Sequence, residues 1–181
     1  MNIACRVFEF LLITTCAIHC AWAQPEPSRV SEVLDAWVTK TERQVVPAAE
    51  AMPEERFAFV PKGEKFKGAR SFAEQIKHLA AANYQLGGAI LNEEPPAGTH
   101  DESAPNSVQT KLQILEYLKG SFTCLHRAAA SVDETTLTRP TQLKGRGRLW
   151  LMIDALEHSS NHYGQMVEYL RMNNIVPPES R

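Results

Sequence analysis

The sequence predicts an all-α domain, a four-helix bundle with long crossing loops. Four stretches repeat apolar residues at intervals of three and four, and no stretch sustains the period-two alternation of a strand. Clusters of Pro, Gly and Asn separate the four stretches. Each such helix carries an apolar stripe that must be buried, and four of them bury their stripes against one another as a bundle.

The first helix is expected from about Ser28 to Met52. Val30, Val33, Leu34, Trp37, Thr41, Val45, Ala48 and Met52 share one face, Ser28 or Ser31 can cap its start, and Pro47 is expected to kink its last turns. A loop with Pro53, Pro61, Gly63 and Gly68 follows. The second helix is expected from about Ser71 to Leu91. Ser71 and Glu74 form a capping-box pattern at its start, and Phe72, Ile76, Leu79, Asn83, Leu86 and Ile90 lie along one side.

Residues 92–106 are rich in Pro, Glu, Gly and Ser and predict an exposed, mobile crossing loop. The third helix is expected from about Ser107 to Ala130. Val108, Leu112, Leu115, Phe122 and Ala129 form its buried face, with Leu118 and Leu125 at the edge. A second loop carries Pro140, Gly145 and Gly147. The fourth helix, from about Leu149 to Asn173, has the stripe Met152, Ala155, Leu156, Ser159, Tyr163, Met166, Val167 and Leu170, and Pro177 and Pro178 prevent its continuation.

Residues 1–23 read as a secretory signal. Arg6 is followed by an apolar run from Phe10 to Ile18, and Ala21 and Ala23 bracket Trp22 in the pattern that signal peptidase accepts. The alternative is an uncleaved anchor, but the run falls short of the ~20 residues that span a bilayer. Thr15 and His19 precede Cys16 and Cys20, where a lipoprotein signal needs a small residue. Cleavage leaves one domain, residues 24–181, exported to the periplasm or beyond the cell. Cys124 is then its only cysteine, expected as a buried thiol rather than a nucleophile. Stability must come from packing or from a metal. The formal net charge of −2 and the mixed signs along the chain argue against a nucleic-acid partner, and no further apolar segment would span a membrane.

The chemistry rests on histidines. His158 and His162 stand four apart on the fourth helix, so both imidazoles project from one face. His78 borders the apolar arc of the second helix in the same way, and His100 and His126 have weaker claims. Three neutral imidazoles would hold a tetrahedral ion with one open position. The residues alone leave a second reading open, in which these are structural histidines on apolar flanks. The run His158-Ser-Ser-Asn-His162 lacks the glutamate of the H-E-x-x-H metalloprotease motif. No glutamate is followed three residues later by histidine, which excludes the ferritin-like di-iron pattern. Glu74 and Asp154, each four residues before a histidine, are candidates to orient the rings. Arg139, Lys144, Arg146 and Arg148 can attract an anion, and Tyr163 and Asn83 can line a pocket.

The runs Ser71-Phe-Ala-Glu-Gln-Ile-Lys-His78-Leu-Ala-Ala-Ala-Asn83 and Glu157-His158-Ser-Ser-Asn-His162-Tyr-Gly-Gln-Met-Val-Glu-Tyr-Leu-Arg171 resemble the second and last helices of the DinB-like family, and Ile175-Val-Pro-Pro-Glu-Ser resembles its ending. The resemblance implies the DinB/YfiT-like bundle and a mononuclear site with His78, His158 and His162 as ligands; three imidazoles with an open fourth position suit a borderline ion, so zinc or nickel is expected. It implies a metal-dependent enzyme of the hydrolase or thiol S-transferase type, with a small-molecule substrate or a thiol cosubstrate as partner and a homodimer as an admissible assembly. Export argues against the transferase, because small thiols are mainly cytoplasmic. The alternative is a non-catalytic metal-binding protein of the cell envelope.

Overall fold

The computed structural model describes residues 28–100 and 103–181. The expected signal segment lies outside them. Four long helices pack together: α1 (Arg29–Ala51), α2 (Phe72–Leu91), α3 (Lys111–Ala130) and α4 (Arg148–Met172). No strand occurs among the described residues, which hold only two isolated bridges, His100 to Ser103 and Pro140 to Gly147. No helix among them is long and apolar enough to cross a membrane. Both α1 and α2 pack against α3 and against α4, so α1 and α2 lie on a diagonal. The connections from α1 to α2 and from α3 to α4 therefore cross the end of the bundle, which explains their length.

Local chemistry sets the helix ends. Ser28, not Ser31, caps α1: its Oγ accepts from the Ser31 amide at 3.0 Å. Pro47 is accommodated within α1, which runs one further turn to Ala51. The α2 capping box forms as expected. The Ser71 amide donates to Glu74 Oε2 at 2.7 Å, and the Glu74 amide donates to Ser71 Oγ at 3.2 Å. Amides of Phe72 and Ala73 donate to the carbonyls of Phe59 and Phe57, so the preceding loop satisfies the first turn of α2. At the other end Asn92 adopts the left-handed conformation and its amide donates to the Gly88 carbonyl. Helix α3 begins four residues later than expected, at Lys111, because Thr110 and Gln113 form a second capping box. Helix α4 ends in a Schellman turn: Asn174 has φ +60°, and the Ile175 amide reaches the Leu170 carbonyl.

Two stripes are rotated from their expected positions. On α1 the buried line is Ser31, Leu34, Val38, Thr41, Val45 and Ala48, while Val33 and Trp37 face solvent at 58% and 50% exposure. Trp37 instead lies under the Lys40 ammonium, 4.4 Å from its ring centre. On α3, Leu118 and Leu125 are fully buried with Ile114 and Phe122, whereas Leu112 is 66% exposed. The expected face thus lay about one residue off the true centre. On α4 Met152, Ala155, Ser159, Met166 and Leu170 are buried as expected, while Leu156 and Tyr163 pack at the margin and Val167 is only half-buried. Helix α2 is the most enclosed of the four, with Ala80, Ala81, Gly87 and Gly88 buried in addition to its expected face.

The crossing loop 92–106 is not wholly exposed. Ala104 joins the core, and Thr99 Oγ1 shares a 2.7 Å hydrogen bond with the Tyr117 hydroxyl of α3. Asn83, entirely buried, is a packing group rather than a pocket residue. It accepts from Ser159 Oγ of α4 at 3.1 Å and donates to Ser121 Oγ of α3 at 3.4 Å, joining three helices.

Candidate metal centre

The α2–α4 interface brings together the three histidines that the sequence singles out. His78 lies in the second turn of α2. His158 and His162 face it from successive turns of α4. His78 and His162 are buried and His158 is half-buried. His158 Nε2 lies 3.2 Å from His78 Nε2 and 3.2 Å from His162 Nε2. The three ring centres are 4.4–5.0 Å apart, and the ligand atoms all lie within 4.8 Å of one another.

The donor set fits one ion. A tetrahedral centre with metal–nitrogen bonds of about 2.0–2.1 Å requires nitrogens about 3.3 Å apart, close to the two 3.2 Å separations here. Among the described residues this is the one group of histidine, cysteine or carboxylate side chains so disposed.

The protonation of His162 is set by its neighbours. Gln75 Nε2 donates to Gln165 Oε1 at 2.8 Å, and Gln165 Nε2 donates to Asn161 Oδ1 at 2.8 Å. That relay turns Gln75 Oε1 toward His162 Nδ1, 2.7 Å away. A carbonyl oxygen can only accept, so Nδ1 carries the proton and the Nε2 lone pair is left for a metal. Burial, then the neighbouring His158, His78 and Arg70, push His162 down to about 3. The ring is therefore neutral near pH 7, as a ligand must be.

Gln75 was missed as an orienting residue in the sequence, where nothing sets it apart from its polar neighbour Glu74. The usable signal is its spacing: a buried amide three residues before His78 shares the face of the metal ligand. Glu74, the expected candidate, is exposed and is engaged in the α2 capping box, where first the backbone and then the side chain of Ser71 hold its carboxyl below the usual range. Asp154 is half-buried and lines a cleft with His158.

Two clefts open beside the triad. One, of 310 Å³, is bounded by His158, Asp154, Trp150, Arg146 and Lys144. The other, of 470 Å³, reaches His78 between Arg70, Lys77 and Glu74. Of the four cationic residues around the start of α4, only Lys144 and Arg146 reach a cleft at the triad. Arg148 donates to the Ser131 carbonyl at 3.1 Å, and Arg139 lies outside both clefts. Tyr163 packs at the core margin and bounds neither cleft.

The remaining histidines stand apart. His100 is exposed on the crossing loop. His126 joins α3 to α1, with Nδ1 2.6 Å from Asp35 Oδ1 and Nε2 3.2 Å from Glu42 Oε2. Burial disfavours its charged form, but the two carboxylates outweigh this and raise its pKa. Cys124 is buried, and burial pushes its thiol up, away from nucleophilic use.

The sequence pattern of the DinB superfamily matches residues 38–166, a stretch that includes all three histidines. The fold is similar to that of a conserved protein from Enterococcus faecalis known by its crystal structure, with a TM-score of 0.62, 16% identity, and coverage of 78% of this chain and 95% of that one. At that identity the likeness concerns the fold. No curated protein matches the sequence.

Proposed function

The chain belongs to the DinB superfamily, and from that premise we propose that it is a mononuclear divalent-metal-dependent enzyme, of the hydrolase or thiol S-transferase type, with zinc or nickel held by His78, His158 and His162. The observation that carries this reading is the Gln75–His162 hydrogen bond, which fixes a neutral imidazole with its Nε2 turned toward the two partner rings. A borderline divalent ion held by the three imidazoles would supply Lewis acidity, lowering the pKa of water or of a small thiol.

The chain's own residues provide the setting. The bundle holds two of the three rings out of water, and the relay of Gln75, Gln165 and Asn161 holds the His162 ring. The half-buried His158 borders the cleft through which a small molecule would approach. Cys124 is no competitor as nucleophile, being buried on the α3 side of α2. Export, read from residues 1–23, would place this chemistry in the periplasm or outside the cell and favours water over a cytoplasmic thiol as the nucleophile.

The test is a screen of hydrolysable and electrophilic substrates, with and without added thiols, on the wild type, Cys124→Ala and His78→Ala. Turnover should vanish with a chelator, return with metal, persist in Cys124→Ala and be absent in His78→Ala. Turnover that survives both chelation and loss of His78 would refute a metal-dependent reaction. Tight metal binding with no turnover would make the protein a metal-binding component of the envelope instead.

A further inference from the structure

Resting on the metal-site reading, we infer that the 310 Å³ cleft beside His158 binds a small organic anion with an apolar body, its charged end on Lys144 and Arg146. The cleft has three kinds of wall. Leu86, Leu143 and the Trp150 ring supply apolar surface, Lys144 and Arg146 supply two cations, and His158 joins the cleft to the triad. This mixture of apolar walls with few charged groups is what small-molecule sites use to fix orientation.

The cations are placed by the backbone. Residues 139–148 form a short hairpin: the Thr141 amide donates to the Arg146 carbonyl at 2.8 Å and the Arg148 amide to the Arg139 carbonyl at 3.2 Å. Its tip is a type I′ turn. Lys144 and Gly145 have φ of +54° and +68°, and the Arg146 amide closes on the Leu143 carbonyl at 3.1 Å. A lysine in the left-handed region is uncommon and costs backbone energy. Arg146 then lies over Trp150, its guanidinium carbon 4.0 Å from the ring centre, so its planar cation is held at the mouth of the cleft.

The start of α4 adds to the positive field. Its first turn holds no acidic residue, and no side chain caps Gly147, so the positive end of the helix dipole is unopposed there. Asp154 is the one acid in the cleft. Two cations against one carboxylate leave a positive balance, and Asp154 can accept a hydroxyl or amide hydrogen from the bound molecule. The second cleft is a poorer candidate, because among the described residues that bound it no large apolar side chain stands beside the cations.

The probe is benzoate, with uncharged benzamide as its isostere, followed through the indole N–H signal of Trp150 in metal-free and zinc-loaded protein and assigned with Trp150→Phe. Benzoate should shift the Trp150 signal saturably while leaving Trp37 unmoved, and benzamide should not. Lys144→Asn, which suits the left-handed backbone, and Arg146→Gln should each raise the half-saturation concentration roughly fivefold, the size a solvent-facing charge pair supports. Zinc titration of the same variants should match the wild type. Equal response to benzoate and benzamide, or no change in either variant, overturns the anion cleft whatever the zinc result. Failure of the wild type to bind zinc overturns the metal reading instead, and the benzoate titration of metal-free protein still decides the cleft.

Discussion

Replacing Gln75 by leucine tests whether the amide relay holds the metal site in order. Gln75 is 4% exposed and its Oε1 accepts from His162 Nδ1 at 2.7 Å. Leucine keeps a comparable volume but removes the acceptor. The ring can then rotate or carry its proton on Nε2, and that tautomer cannot ligate through the nitrogen that faces the other two rings. Loss of such an orienting partner costs about 10- to 100-fold in metal affinity, equivalent to about 1.4–2.8 kcal/mol. An independent estimate agrees: a buried donor without an acceptor costs about 1–3 kcal/mol. Gln165→Leu removes only the next link, whose half-buried position lets water replace it, so its effect should be smaller. The assay is competition for zinc against a chromophoric chelator, with thermal unfolding of the metal-free proteins in parallel. Zinc affinity of Gln75→Leu within error of the wild type would refute the relay, as would a Gln165→Leu variant equally impaired.

Other perturbations address the ligands and the packing. His158→Ala and His162→Ala should each abolish most metal affinity while circular dichroism stays helical, because four apolar stripes hold the bundle; unchanged affinity would remove that residue from the ligand set. Gly87→Ala should destabilise the protein by about 1–3 kcal/mol, since a Cβ there would sit 2.9 Å from Cys124 Sγ; denaturant titration should show recovery in Gly87→Ala/Cys124→Ala, and simple additivity would contradict the contact. His126 has a raised pKa, so its tie to Asp35 and Glu42 contributes fully below the unfolded value near 6.5 and is lost as pH rises through the folded value. His126→Gln should therefore lower stability at pH 5.5 by about 1 kcal/mol or less, with the difference shrinking at pH 9; a constant difference at both pH values would mean that charge is not the cause.

The helices, the α2 capping box and the three histidines were legible because each is a local property. Ser71 and Glu74 lie within one turn, as do His158 and His162, and periodicity alone placed His78 beside the apolar arc. What the sequence concealed depends on contacts between helices. A stripe flanked by Val33 and Trp37 offers two readings one residue apart, and only the seats of α3 and α4 select Val38 over Trp37. Leu112 and Ile114 present the same ambiguity on α3. Glu74 and Gln75 are adjacent polar residues before His78; the helix cap claims the first and leaves the second to reach His162 across the interface. Likewise four cations cluster around the start of α4, and it takes the hairpin turn at Lys144 and Gly145 to bring two of them to the cleft.

The central claim is that three imidazoles hold a single ion, and X-ray absorption on reconstituted protein, combined with elemental analysis, tests it most directly. The account predicts about one zinc or nickel per chain after dialysis, with three imidazole nitrogens at about 2.0–2.1 Å and a light-atom ligand in the remaining position. Metal that stays substoichiometric after reconstitution, or sulfur bound directly to the ion, would contradict it.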